Sequence, residues 1–294
     1  MSHSMCDEWG MLLREVEYVR PATVEEAIAL LSTHDGARAL AGGQTLVNVM
    51  KARAAAPDVL VDLADLHELR QIGFSADQSS LEIGAMATSS QIAASAEVEV
   101  ARPVLAEVVA TIADVQVRNR GTIGGNICVN DPTNHLPPLL VALGASMTIR
   151  GVAGERVVPA EEFFIGVYTT AVEEGELLTM VSVPTRRPGT GDAMDGITLG
   201  AHGTYIISAA ATVGPDGVRV AIGCVAGTPV RATALERALA AGDFSEAAVR
   251  AAAAGLGATL DPPADVHATA DYRRHLAEVA AIRAVLRAAA RAKG

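Results

Sequence analysis

Apolar positions along the chain recur with two different periods, and the switches between them mark out its elements. After Pro21, Val24, Ala27, Ile28, Leu30 and Leu31 fall at helical spacing. Thr23-Val24-Glu25-Glu26 reads as a capping box that opens this helix, and Asp35-Gly36 closes it. Residues 38–41 then suit a short buried strand running into Gly42-Gly43, and residues 58–63 suit a second strand. Strand, glycine turn, helix and strand make an α/β opening. Residues 81–85 alternate with a period of two, residues 89–96 suit a short helix, and residues 103–113 suit a longer one with Leu105, Val108, Val109 and Ile112 on one face. Strands are predicted at residues 145–150, 156–158 and 177–183.

The pattern breaks across residues 184–196, where Pro188, Gly189, Gly191 and Gly196 crowd together, and a domain boundary is placed there. Beyond it, apolar runs at residues 205–213 and 218–225 flank Gly214-Pro215-Asp216-Gly217, which predicts a β-hairpin. Residues 233–241, 245–255 and 272–292 are helical in spacing and in residue choice.

Composition narrows the function classes. The chain has 294 residues, 50% hydrophobic and 19% charged, which excludes disorder and leaves ample length for a core. No apolar run reaches the length of a spanning helix, so no membrane insertion is expected. Asp7, Glu8, Arg14 and Glu15 interrupt the N-terminal twenty residues, no secretory signal is legible, and a cytoplasmic location is the expectation. A net charge of -11 with 3% aromatics offers neither a phosphate-neutralising patch nor a stacking platform, so nucleic acid is not an expected partner. Cys6, Cys128 and Cys224 are too few and too scattered for a disulfide framework or a cluster held by four thiolates. The histidines form no i, i+4 pair, and no metal site is expected. Neither Lys51 nor Lys293 completes a P-loop.

Two glycine-pair segments carry the candidate chemistry: Leu40-Ala41-Gly42-Gly43-Gln44-Thr45-Leu46-Val47, and Arg120-Gly121-Thr122-Ile123-Gly124-Gly125-Asn126. Paired glycines let successive amides curl inward and approach a phosphate, with Thr45, Thr122 and Asn126 adding side-chain donors; each pair alone also suits a plain structural turn. Neither fits Gly-x-Gly-x-x-Gly. Asn130-Asp131-Pro132-Thr133-Asn134-His135-Leu136-Pro137 reads either as an Asx-turn with a proline stop or as a rigid polar shelf for a polyhydroxyl or ring edge. Arg118 and Arg120 share a face if their segment is extended, suiting a diphosphate or a carboxylate, with solvated arginines as the plainer reading. Cys128, two residues past Asn126, reads as a small buried thiol, with a redox-active thiol as the alternative, and the pairs Glu25-Glu26, Glu161-Glu162 and Glu173-Glu174 read as solvated charge.

Both glycine motifs, in this order and separation, with Asp131-Pro132 after the second, closely resemble the FAD-binding medium subunit of molybdenum hydroxylases, the group of the xanthine dehydrogenase flavin domain and the carbon monoxide dehydrogenase medium chain. The resemblance spans nearly the whole chain. It implies an α+β flavoprotein. Its FAD-binding domain, residues 10–185, would have a parallel-sheet lobe (10–70) and an antiparallel-sheet lobe (71–185), followed by a C-terminal domain of antiparallel sheet and helices (186–294). It further implies that backbone amides of residues 40–47 and 122–126 hold the FAD pyrophosphate, that Ile112 and Leu178 pack on the flavin, and that Asp131 and His135 lie near the ribityl chain and ring. Electrons would come from a large molybdenum-cofactor subunit through a small 2Fe-2S subunit, in a dimer of heterotrimers, and leave to an external acceptor. The chain departs from the family pattern at His135, where many relatives carry Asp, in lacking a lysine across residues 185–213, and at Asn48, where proline is common. A stand-alone flavin oxidoreductase, or a subunit that has lost its flavin and serves assembly, are the competing readings.

Overall fold

The computed structural model describes residues 13–200 and 203–294. Cys6, Asp7, Glu8 and the domain start at residue 10 lie outside the described residues.

The first lobe runs β1 (Glu17–Val19), α1 (Val24–Thr33), β2 (Ala37–Leu40), α2 (Leu46–Lys51) and β3 (Val59–Asp62), its strands parallel in the order β1-β3-β2. Thr23 caps α1 by accepting from the Glu26 amide at 3.1 Å, while the Glu26 carboxylate accepts from the Ala22 amide at 2.7 Å, one residue earlier than an ideal capping box. Central β3 is buried throughout, and Val24, Ala27, Ile28 and Leu31 close one face of the sheet.

The second lobe opens with β4 (Ile72–Phe74) and β5 (Ser80–Gly84). Six helices follow: α3 (Ser89–Ala94), α4 (Ala96–Ala101), α5 (Pro103–Val109), α6 (Val115–Arg120), α7 (Ile123–Val129) and α8 (Leu136–Leu143). Then come β6 (Ser146–Gly151), β7 (Gly154–Pro159), α9 (Ala160–Phe163), the small hairpin of β8 (Phe164–Gly166) and β9 (Thr169–Thr170), and β10 (Leu177–Pro184). The main sheet is antiparallel in the order β4-β5-β10-β6-β7. Its register sets Ile83 and Met147 on either side of Val181, and Leu81 beside Val183, so the period-two residues form one buried face under the helices. Burying each such side chain contributes about 1.5–3 kcal/mol.

The remaining residues form β11 (Gly191–Thr198), β12 (Tyr205–Gly214), β13 (Gly217–Gly223) and β14 (Val230–Arg231), a four-stranded antiparallel sheet covered by α10 (Thr233–Ala238), α11 (Glu246–Ala253) and α12 (Ala270–Ala292). Small side chains, Ala277, Ala281 and Ala284 of α12 among them, let helix and sheet approach closely. Helix α8 packs against β12 and β13 from the other side.

Four local expectations change. Residues 184–196 contain most of β11, which has no apolar period because its glycines answer to neighbours: a Cβ on Gly191 would lie 2.2 Å from Ala288 O of α12. Helix α8 carries Pro137 and Pro138 in its first turn, where no intrahelical N–H is needed, and the prolines disguised it. The helix read over 103–113 ends at Val109. Arg118 and Arg120 lie on a helix and therefore do not share a face.

Candidate functional site

The first glycine pair joins β2 to α2 at the carboxyl end of the parallel sheet, the edge where α/β sheets place their ligands. Gly43 turns the chain with φ +72°, a conformation open to glycine at little cost. Among the described residues, no protein acceptor receives the amides of Gly42, Gly43, Gln44, Thr45 or Leu46; the first bond of the turn into α2 runs from Val47 N–H to Gly43 O at 3.3 Å. Consecutive unspent backbone donors on a curled segment form an anion-binding concavity.

The second pair differs. Gly124 and Gly125 lie inside α7, which Thr122 caps. Their amides are used within the protein: Ile123 N–H donates to Ala87 O at 2.9 Å, Gly124 N–H to Ala85 O at 2.8 Å, Gly125 N–H to Thr122 Oγ1 at 3.0 Å, and Asn126 N–H to Thr122 O at 3.0 Å. The amides of residues 123–126 are thus already paired within the protein, unlike those of residues 42–46. This segment offers shape and side chains instead. Gly124 admits β5: a Cβ there would stand 2.7 Å from Ala85 O. Asn126 Oδ1 is buried without a protein partner, an acceptor awaiting a donor.

The segments are in contact. A Cβ on Gly42 would lie 2.1 Å from Arg120 O and 2.9 Å from Gly121 Cα, and one on Gly125 would lie 3.7 Å from Ala41 Cβ. Beside this contact opens a cavity of about 870 Å³, within the range of cofactor pockets. Ala41, Gly42, Gly43, Gln44, Thr45, Leu46, Ile112, Thr122, Gly124, Gly125, Asn126, His135 and Leu178 line it. Leu40, Val47, Ile123 and Asp131 are not part of the lining. The Leu40 and Val47 side chains instead flank Gly43, 3.5 and 3.3 Å from where its Cβ would be. Ile123 is in the core, and Asp131 accepts from Thr133 N–H at 2.9 Å, Thr133 Oγ1 at 2.7 Å and Tyr168 Oη at 3.3 Å.

Sequence reasoning missed Arg38 of β2, the turn 173–177, and Tyr168, Thr169 and Thr170 at the β8–β9 hairpin, all of which line the cavity. Glu173 and Glu174 read as solvated charge in the sequence, and Gly175, just before the Glu176-Leu177-Leu178 stretch that shares in the resemblance, takes φ +78° in its turn. Arg118 is not part of the lining and donates to Ile112 O at 3.0 Å and Ala113 O at 2.8 Å, fixing the loop that carries Ile112.

His135 is buried at the start of α8, its ring centroid 4.3 Å from that of Tyr205 at an interplanar angle of 47°. Burial lowers its pKa to about 4, so the imidazole is neutral at pH 7. Cys128 is also among the lining residues, and burial pushes its thiol up to about 12, which keeps it out of thiolate chemistry. Glu161 is no free carboxylate: it pairs with Arg219 at 2.5 Å and Arg231 at 2.6 Å. Among the described residues there is no cluster of three metal-ligating side chains and no helix long and apolar enough to cross a membrane.

FAD fits these features. A diphosphate suits the open amides, the unpartnered Asn126 Oδ1 suits a hydroxyl or N–H donor, and Ile112 and Leu178 give apolar wall to a flat ring.

Residues 14–186 match the family model described as the FAD binding domain in molybdopterin dehydrogenase, and residues 206–288 match the CO dehydrogenase flavoprotein C-terminal domain. The carbon monoxide dehydrogenase medium chain of Afipia carboxidovorans is 38% identical over 290 residues, covering 96% of this chain and 100% of that one. The nicotine 6-hydroxylase medium subunit of Paenarthrobacter nicotinovorans is 31% identical, covering 96% and 100%. Among solved structures, a chain of carbon monoxide dehydrogenase from Hydrogenophaga pseudoflava superposes with a TM-score of 0.91 at 38% identity, covering 96% of this chain and 99% of that one.

Proposed function

This chain belongs to the family of FAD-binding subunits of molybdopterin dehydrogenases, and from that premise we propose that it is the electron-transfer subunit of a heterotrimeric molybdenum hydroxylase. Its partners in this reading are a large molybdenum-cofactor subunit and a small 2Fe-2S subunit, assembled as a dimer of heterotrimers. The three cysteines of the whole chain support the division of labour, because a cluster held by four thiolates requires another polypeptide. Bound FAD supplies the redox chemistry, exchanging single electrons with clusters and electron pairs with a final acceptor.

The chain's own residues bind and shield. The amides of Gly42, Gly43, Gln44, Thr45 and Leu46 hold the diphosphate by neutral donors, with Thr122 and Asn126 adding side-chain contacts. Ile112 and Leu178 exclude water from the ring. His135 presents a neutral imidazole where a carboxylate would add negative charge, which favours taking up electrons. One observation carries the reading: five unspent amides beside an 870 Å³ cavity, on a segment packed directly against the second motif.

The test is anaerobic reduction of the purified protein. Substrate should bleach the flavin absorbance only with the molybdenum and iron–sulfur chains present. Bleaching of this chain alone by an organic substrate would favour a stand-alone flavin oxidoreductase, and absence of flavin from the intact complex would favour an assembly subunit.

A further inference from the structure

The β8–β9 hairpin lines the cavity although little of its own structure can hold it there. Its strands are three and two residues long, and its register is irregular between Phe164 and Gly166. Ribbons of this size are marginal by themselves. Phe164 seats the base of β8 in the core, but Ile165, Val167 and Tyr168 are all exposed, so apart from the Tyr168 Oη bond to Asp131 at 3.3 Å the tip has no side-chain anchor of its own. Tyr168 takes φ +54°, a left-handed conformation that costs a bulky residue about 1–2 kcal/mol.

Asn130 supplies the missing anchor. It is 1% exposed and ends α7 in a left-handed conformation, φ 43° and ψ 50°. Glycine would serve that turn equally well, so the turn alone does not explain the side chain. The side chain is spent across the fold: Nδ2 donates to Gly166 O at 2.6 Å and Thr169 O at 3.2 Å, with Gly227 O at 3.5 Å. Its backbone carbonyl accepts from Tyr168 N–H at 3.2 Å. Because the facing groups are carbonyls, the amide nitrogen has to point toward them. The residue that terminates the helix capped by Thr122 and carrying Gly125 and Asn126 therefore also fixes both sides of the hairpin turn that lines the same cavity.

We infer that Asn130 is a positioning residue for the FAD site: it sets the distance between the α7 wall and the Tyr168–Thr170 wall without touching the cofactor. The inference rests on the FAD reading above. Asn130→Gly keeps the left-handed turn and deletes the donors; Asn130→Asp keeps the shape and presents oxygen to oxygen. In the purified protein, both are expected to weaken FAD binding about tenfold, the worth of a buried side-chain hydrogen bond. With FAD stripped, hydrogen exchange across residues 163–171 is expected to accelerate in Asn130→Gly, while α7 amides stay protected and the melting temperature falls by only a few degrees. If Asn130→Gly binds FAD as tightly as the parent and exchanges like it over 163–171, the inference is overturned. Should Asn130→Asp fail to fold, the glycine variant still decides. The two readings fail separately: a parent protein without FAD affinity defeats the cofactor reading, whereas unchanged exchange at the hairpin defeats the anchor.

Discussion

Gly42 and Gly43 are neighbours with different duties. At Gly43 the constraint is the backbone angle, so Gly43→Ala should cost about 1–2 kcal/mol of strain and loosen FAD modestly. At Gly42 the constraint is the Arg120 carbonyl, 2.1 Å from a would-be Cβ, so Gly42→Ala has to push the two segments apart. Overpacking of this kind costs about 1–3 kcal/mol. FAD affinity should fall further in Gly42→Ala than in Gly43→Ala, measured by fluorescence titration, with Gly73→Ala, which meets nothing within 4 Å, as the neutral control. His135 gives a second residue-level expectation. Its native pKa of about 4 lies below the ordinary value of 6.5, so the unfolded chain binds the proton first as pH falls. Its stabilisation is complete above about pH 6.5 and is lost as pH drops toward 4, by up to about 3 kcal/mol. His135→Asn should flatten that part of the stability profile in urea unfolding at stepped pH; an unchanged slope would contradict the buried neutral imidazole. Both glycine motifs and His135 were legible as sequence. The different use of their amides was not, because only the fold shows that Ala85 and Ala87 of the β5 end consume the donors of residues 123 and 124.

Among the elements, those with a strong internal period were readable: α1 by its cap and spacing, β5 and β10 by alternation, β12 and β13 by the Gly214–Gly217 turn. Those whose sequence serves a neighbour were not. Strand β11 is glycine-rich because α12 and Tyr205 crowd it, and it buries Asp192, which only a partner from elsewhere makes tolerable. That partner is Arg102, at the α4–α5 junction. Its Nη1 lies 2.8 and 2.9 Å from the two Asp192 carboxylate oxygens, its Nε donates to Pro184 O at 2.6 Å, and Thr212 Oγ1 adds a bond to Asp192 at 2.9 Å. The pair ties the second lobe to the C-terminal sheet. Removing one side strands a buried charge, so Arg102→Met should destabilise by about 3–5 kcal/mol, and Arg102→Met with Asp192→Leu should recover much of that in thermal unfolding. A double variant no more stable than the single would show that the pair's geometry, not its uncompensated charge, sets the cost. The loop between α5 and α6 makes a gentler case. Arg118→Met deletes two bonds that hold Ile112 and Ala113 and should weaken FAD binding several-fold with little loss of stability, because the loop is largely exposed.

At the scale of the whole molecule, the cavity is built from both lobes. The parallel lobe brings unspent amides, the antiparallel lobe brings apolar and side-chain walls, and the C-terminal sheet reaches the same space near Gly203 and Thr204. No single element contains the site, which is why the sequence disclosed its motifs and not its far wall. The measurement that bears most directly on this account is a structure of the protein with FAD bound. The account expects diphosphate oxygens within about 3.2 Å of amide nitrogens in the segment 42–46, with the Thr122 and Asn126 side chains on the opposite side. A diphosphate seated elsewhere, leaving the amides of Gly42 to Leu46 facing only water, would contradict it.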